Sequence, residues 1–569
     1  MSDHVERTIN GIPASGGIAI GQVYILAEED LPEIEERRLD DEEVEIEIER
    51  FGAAIEEADR VLAEIETLAR ADVDERAGIF EALRMMLRDS ALVDPIKAHI
   101  IERRASARAA IGQQMRGLAG YFEASLDYTM RSRAEDIRSL QAHLISALLK
   151  TPVVHRFHHQ AVLVLSTLPP SDAILYARNG AIAFVVEAGG INSHAAILAR
   201  ALNIPMIAGL KGIGSIALPH ELAIVDGYSG HVILSPSAET MGKYRQRKHD
   251  LEEQRSRLEA IRDLPAETTD GVRVRIAANI DMVDELATAS ENGAEEIGLM
   301  RTEYLVMGRS SDVPIEEQID HYTQIAQRAF PLPVTLRAFD IGSDKLVGDE
   351  WMKASSLGLR GARLLLSRPE ILRRQIEATL HASSTRNVSL MLPMVTSVEE
   401  IRMFKGLVQE MKDKLREERV PFDEGIRLGT MIETPASAII AESLAAECDF
   451  LSIGSNDLVQ YTLAVDRNDD ALAQYYDELH PAIIRLLRMI VLSAERWHTP
   501  LTLCGELAAH PDATALLIGL GIRRFSVSPY QLAPLKERVR RVNAAEAEAL
   551  ATRALEAVTG EDVRRVLMN

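Results

Sequence analysis

The sequence predicts a multidomain α/β protein: a β/α domain carrying an inserted α-helical bundle, a connecting helix, and a C-terminal (β/α)8 TIM barrel. Three observations carry this reading. From residue 273 onward eight short β-rich apolar runs alternate with helical stretches, which is the pattern of a closed parallel barrel. Between Asp40 and Lys150 the text is rich in Ala, Leu, Glu and Arg and nearly free of proline, with apolar residues at helical spacing. On both sides of that segment, short apolar runs punctuated by glycine read as buried strands with turns.

In chain order, GIPASGGIAIGQVYIL opens the β/α domain, and AVLVLSTL, AIAFVVEAGG, ELAIVDG and HVILSP return to it after the helices. The domain therefore spans 1–30 and 151–235, with the helical insertion at 31–150. Stretches such as IFEALRMMLRD and AEDIRSLQAHLISALL supply that insertion with amphipathic helices. Its start is strongly acidic: residues 28–50 hold thirteen acidic side chains against three arginines, a net of -10. The stretch MGKYRQRKHDLEEQRSRLEAIRDL is polar nearly all round and free of proline until Pro265. It predicts a solvated linker helix within 236–265, and the barrel then fills 266–569.

Composition bounds the function. With 569 residues, 47% hydrophobic and 26% charged, the chain is globular and long enough for three or four domains. A net charge of -24 disfavours binding to nucleic acid or anionic lipid and favours a basic partner protein. The opening MSDHVERTIN has no leader pattern, and no apolar run approaches the length that spans a bilayer, so a cytoplasmic protein without membrane insertion is expected. Cys448 and Cys504 are too few for a disulfide framework.

In a barrel of this kind chemistry sits at the carboxyl ends of the strands. The second apolar run leads into Arg301, Thr302 and Glu303, the third into Arg337 and Asp340, and the fifth into Glu433. The sixth leads into Asn456 and Asp457 and the seventh into Cys504 and Glu506. Unrelated loop residues would not converge in this way. Glu433 and Asp457 suit a hard divalent cation, Mg²⁺ or equally Mn²⁺, which takes its other ligands from substrate and water. Arg301, Arg337 and Arg467 offer planar forks for phosphate and carboxylate, so a small polyanion is the expected substrate. Cys504 is either a buried structural thiol or a proton donor.

The second candidate site is GGINSHAAILARALNIPMIAG. Asn192 and Ser193 stand where they can cap a helix, and His194 lies in its first turn. Free amide N–H groups and the dipole there stabilise added negative charge, and imidazole is a competent nucleophile. A surface or capping histidine is the bland alternative. His155, His158 and His159 in HRFHHQ read as loop residues without accompanying ligands.

Together GGINSHAAILARALNIPMIAG, GLMRTEYLVM, DIGSDK, MIETPASA, FLSIGSNDLVQYTLAVDR and LCGELA resemble enzyme I of the bacterial phosphoenolpyruvate:sugar phosphotransferase system. The resemblance runs from GIPASGGIAIG to the C-terminus. It implies a swivelling phosphohistidine domain, an inserted helical domain that docks the carrier protein HPr, a linker helix, and a phosphoenolpyruvate-binding barrel through which the chain forms a homodimer. It also implies that phosphoenolpyruvate phosphorylates His194, which then phosphorylates HPr. Arg301, Arg337, Asn456, Asp457 and Arg467 would bind substrate, Glu433 and Asp457 would bind Mg²⁺, and Cys504 would protonate the enolate to give pyruvate.

Some positions depart from the family pattern. Asn192 precedes the Ser-His pair where threonine is common, and Pro169 stands where threonine is frequent. Ala338 and Ser343 interrupt the segment after Arg337, and Leu83 replaces a common histidine. Pyruvate phosphate dikinase and phosphoenolpyruvate synthase share the histidine domain and the barrel but need an ATP-grasp domain, for which the chain has no room. The remaining alternatives are the nitrogen-type regulatory branch and a non-catalytic phosphoenolpyruvate sensor. About ten residues precede GIPASGGIAIG, which favours the sugar system.

Overall fold

Glycines and short apolar runs dictate the N-terminal sheet, because strands buried on both faces need continuous hydrophobic sequence between turns. The computed structural model describes residues 5–26, 38–72, 78–123, 128–149, 157, 160–190, 193–306, 313–342, 357–467 and 469–568. It divides into two compact units, residues 1–252 and 253–569.

In the first unit the strands are β1 (Arg7–Asn10), β2 (Ile12–Ser15), β3 (Ile18–Leu26), β4 (Ala161–Leu165), β5 (Ala181–Val186), β6 (Met206–Ala208), β7 (Leu222–Asp226) and β8 (His231–Leu234). Their order is β1-β8-β7-β3-β4-β5-β6-β2. The central β3, β4, β5 and β6 run parallel. Strand β1 and the short β6 were not among the sequence-predicted strands, being four and three residues long.

Between β3 and β4 the chain forms α1 (Asp41–Asp72), α2 (Gly78–Leu87), α3 (Ser90–Arg103), α4 (Ala107–Glu123) and α5 (Tyr128–Leu149). This is the predicted bundle. Alternation along β4 separates its two faces. Ala161, Leu163 and Leu165 join one continuous core with Leu62, Ile96, Ile111 and Leu140 of the bundle, while Val162 and Val164 pack with Val185, Ile207 and Val225 on the other face. The insertion thus shares its core with the sheet. Leu83, buried at 3% exposure, belongs to that core, and Arg84 on the same helix binds Asp59 at 2.9 Å and Glu66 at 2.8 Å on α1.

After the sheet come α6 (Pro170–Arg178), α7 (His194–Ala201), α8 (Ile213–Ile216) and α9 (Ala238–Ile261). The expected linker helix is α9, but its first half is not solvated all round. Met241, Tyr244 and Leu251 pack with Ile18, Ile224 and Ile233 of the sheet, and Arg247 reaches the fully buried Asp226 at 2.7 Å. Few apolar residues at helical spacing suffice to seat a helix when a buried carboxylate waits for one of its arginines.

In the second unit β9 (Arg275–Ile280), β10 (Glu296–Met300), β11 (Val334–Arg337), β12 (Val388–Leu392), β13 (Arg427–Ile432), β14 (Phe450–Gly454), β15 (Leu501–Cys504) and β16 (Arg524–Val527) close into a barrel. Every pairing is parallel. These are the eight predicted strands. Leu299, Met391, Met431, Phe450 and Cys504 form a buried cluster of their own, separate from the larger core that joins strands to surrounding helices.

Candidate active site

At the carboxyl ends of β10, β11, β13 and β14 five of the predicted charged residues, Glu303, Arg337, Asp340, Glu433 and Asp457, meet in one buried mesh. Arg337, the last residue of β11, lies with its guanidinium 3.1 Å from Glu303 and 3.6 Å from Asp340. Burial disfavours its charge, but Glu303, Asp340 and Glu433 outweigh that and hold it protonated. Among the described residues its buried Nε has no hydrogen-bond partner, leaving a donor available to an acceptor from outside the protein.

Asp340 is gripped by Arg360, whose Nε and Nη2 donate to the two carboxylate oxygens at 2.8 and 2.9 Å. The same guanidinium donates to Asp457 at 3.2 and 3.4 Å and to the Tyr461 hydroxyl at 3.2 Å. Burial alone would raise the Asp340 pKa; Arg337 and Arg360 reverse this and hold it below the usual carboxylate range. Arg360 therefore belongs to the site. The sequence put it in SLGLRGAR, downstream of a strand end, where nothing in its spacing marks it as the bridge between two carboxylates.

Glu433 follows β13 and is 1% exposed, with one oxygen accepting the Met394 N–H at 2.6 Å. Burial first, then repulsion from Asp457 and Asp340, pushes its carboxyl well above the ordinary range. Glu433 thus repels Asp457 and Asp340 whenever it is ionised. A divalent cation would relieve that repulsion, so Glu433 and Asp457 fit the metal ligands expected of them. Among the described residues no group of three or more His, Cys, Asp or Glu is arranged to hold a metal.

Asn456 is oriented by its neighbours. Its Oδ1 accepts the Glu506 N–H at 2.9 Å, so its two amide hydrogens point the donor side elsewhere. Gly505, at φ +94°, allows this approach: a Cβ there would lie 2.2 Å from Ser455 Oγ and 2.7 Å from Asn456 Oδ1. Cys504 is 1% exposed, and its Sγ lies 2.7 Å from Ser452 Oγ. Burial pushes its thiol up to about 11, so it is a thiol rather than a thiolate at neutral pH, as a proton donor must be. Arg301, after β10, is half-exposed and 3.3 Å from Asp281. Arg467 lies exposed in the loop after the helix Ser455–Leu463.

In the first unit His194 is the first residue of α7. Ser193 caps the helix, its Oγ accepting the Ala196 N–H at 3.2 Å. Gly189, at φ +120°, turns the chain out of β5 ahead of it. Asn192, Ser343 and the histidines 155, 158 and 159 lie outside the described residues. Pro169 is the N-cap residue of α6 and supplies no side-chain cap. Ala338 is fully buried, its N–H continuing the β11 ladder to Met391 at 2.8 Å. Sequence reasoning missed Gln375, Ser452 and Tyr461: Ser452 is hidden in the apolar run FLSIG, and Gln375 and Tyr461 in helices where other polar residues surround them.

A parallel barrel whose strand ends gather arginines and carboxylates defines the class: an enzyme built for a small anionic substrate. Family models agree: the PEP-binding domain of PEP-utilising enzymes matches residues 255–544, their N-terminal domain residues 10–133, and their mobile domain residues 157–230. The phosphoenolpyruvate-protein phosphotransferases of Bacillus sp. (strain S) and Listeria monocytogenes serovar 1/2a are 36% and 34% identical to this chain over 566 residues. Those alignments cover 98% of this chain and 97% and 98% of the relatives. That of Cupriavidus necator is 34% identical over 572 residues, covering 97% of each. The chain belongs to the phosphoenolpyruvate-protein phosphotransferase family, the enzyme I proteins of the phosphotransferase system.

Proposed function

We propose that this phosphotransferase moves the phosphoryl group of phosphoenolpyruvate to His194 and then to a histidine of the carrier protein HPr, as the first step of sugar uptake. The observation that carries this reading is the buried strand-end mesh, whose Arg337 Nε has no partner among the described residues and whose Glu433 is crowded by Asp457 and Asp340. In the first half-reaction the bond between phosphorus and the enol oxygen breaks and a bond to an imidazole nitrogen of His194 forms. Cys504 gives its proton to carbon three of the enolate, yielding pyruvate, and regains one from water. Arg301, Arg337, Asn456, Asp457 and Arg467 bind and orient the substrate, so the step is mostly positioning and charge neutralisation. Glu433 and Asp457 would hold Mg²⁺, or Mn²⁺ on the same ligands, which when bound neutralises charge on the phosphate and enolate oxygens.

The domains take matching roles: 1–30 with 151–235 as the phosphohistidine domain, 31–150 as the HPr-binding domain, 236–265 as the linker, and 266–569 as the phosphoenolpyruvate-binding barrel. The acidic stretch 28–50 suits a basic carrier. We further read the chain as a cytoplasmic homodimer joined through the barrel; among the described residues no helix is long and apolar enough to cross a membrane.

The test is incubation with radiolabelled phosphoenolpyruvate and Mg²⁺, followed by a chase with HPr. Acid-labile label should appear on the wild-type chain, pass to HPr, and be absent from His194→Ala. Label retained in that variant would sink the assignment. Transfer to a nitrogen-type carrier alone would move the enzyme to the regulatory branch. Binding of phosphoenolpyruvate with no labelling at all would make the chain a sensor.

A further inference from the structure

Behind the charged mesh lies an uncharged one. Gln375, on the helix Pro369–Ala382, is 1% exposed, Tyr322, on the helix Ile315–Ala329, 0%, and Thr302, after β10, 1%. Gln375 Nε2 donates to Thr302 Oγ1 at 3.1 Å and to the Tyr322 hydroxyl at 3.0 Å, and its Oε1 accepts the Phe339 N–H at 3.0 Å. Thr302 Oγ1 in turn donates to the Arg337 carbonyl at 2.8 Å. We propose that Gln375 and Thr302, backed by Tyr322, form a positioning unit that fixes the strand ends bearing Arg301, Glu303, Arg337 and Asp340. This rests on the reading of those strand ends as the phosphoenolpyruvate site.

The β11 ladder stops just beyond Ala338. Ala338 N–H still pairs with the neighbouring strand at Met391, but the next two N–H groups have left the sheet. Gln375 Oε1 takes that of Phe339, and Glu303 Oε1 takes that of Asp340 at 2.7 Å. Thr302 stands between Arg301 and Glu303, and the bonds to Arg337 O and Phe339 N bracket Arg337 and the turn toward Asp340. One side-chain amide is thus tied to both strand ends. Amide chemistry is what the position demands, since only a group with an acceptor and two donors satisfies all three partners.

Cohesion alone does not call for such a network. Leu336, Phe339 and Ile341, all 1% exposed, already anchor this segment in the barrel core, and apolar side chains bury at lower cost than polar ones. What the network adds is direction: each donor and acceptor admits one arrangement of the backbone from which the two arginines project. Losses from such supporting contacts are typically about tenfold to a hundredfold.

Thr302→Val keeps shape and removes the hydroxyl, Thr302→Ser keeps the hydroxyl, and Gln375→Met keeps length and removes the amide. The readouts are kcat and KM for phosphoenolpyruvate-driven phosphorylation and, separately, the rate of phosphoryl return from phosphorylated HPr to His194, which does not use the barrel. Thr302→Val and Gln375→Met should lower kcat about tenfold to a hundredfold with a much smaller change in KM. Return from HPr should be unaffected, and Thr302→Ser should restore most of the rate. Unchanged kcat in Thr302→Val, or a loss that Thr302→Ser shares in full, would overturn the proposal; that pair decides even where Gln375→Met fails to fold. Arg337→Met separates the two levels of inference. Normal turnover in Arg337→Met would remove the underlying site assignment, whereas its loss alongside a normal Thr302→Val would remove only the positioning role.

Discussion

The two sites are built on opposite principles. At the barrel's strand ends, charges are buried and tied to one another: Arg360 alone bridges Asp340 and Asp457, and Arg337 faces Glu303 and Asp340. At the start of α7 there is one histidine, a serine cap, and the free N–H groups of a short helix. A mesh of paired ions is preorganised, because its charges need no rearrangement when charge develops, which fits the proposed binding of a polyanion with a cation. A capped helix start instead offers an anion only the partial positive charge of a few N–H groups, which fits the proposed role of a transient phosphoryl carrier.

The contrast is broken most sharply by Arg337→Met. Phosphorylation from phosphoenolpyruvate should fall by about a thousandfold. The barrel should lose about 3–5 kcal/mol because Glu303 loses its ion-pair partner and Asp340 keeps only Arg360, which thermal unfolding would register. Phosphoryl return from HPr should be untouched; a loss there would mean the sites are not independent.

Cys504→Ala should slow only the forward half-reaction, by about a hundredfold, since return from HPr involves no enolate. Equal slowing of both halves would leave Cys504 as a packing residue. On the other side, Ser193→Ala should weaken the start of α7 by about 1 kcal/mol, read as faster amide exchange in its first turn, and should slow both half-reactions alike. A change confined to one half would show that the cap acts on a particular partner rather than on the histidine's helix.

The smallest expected effect concerns the rim of the barrel site. Glu478 has a buried oxygen without a hydrogen-bond partner among the described residues. Burial, with Glu506 and Asp477 nearby, pushes its carboxyl up to about 7 from an ordinary 4.5. The folded chain then binds a proton that the unfolded chain has released, so stability falls as pH rises from 4.5 toward 7 and remains lower above. Glu478→Gln should match wild type in melting temperature at pH 4 and exceed it modestly at pH 8. An equal shift at both values would point to packing instead of charge.

The amino-acid sequence by itself determined the architecture. All eight barrel strands follow apolar runs visible in the text, because a parallel strand buried on both faces cannot hide its composition. The bundle and the position of His194 at a helix start were legible for similar local reasons: helical periodicity, and a cap residue followed by its helix. Most strand-end charges were legible too, once the barrel told where to look. Tertiary structure alone decided how those charges divide. That Arg360 joins Asp340 to Asp457, that Ser452 meets Cys504, and that Gln375 ties Thr302 to Phe339 are pairings across 20, 52, 73 and 36 residues of chain. Arg360 spans 97 residues to Asp457. No local pattern encodes such pairs, since each is chosen by the closure of the barrel and by the cost of burying any one of these groups alone.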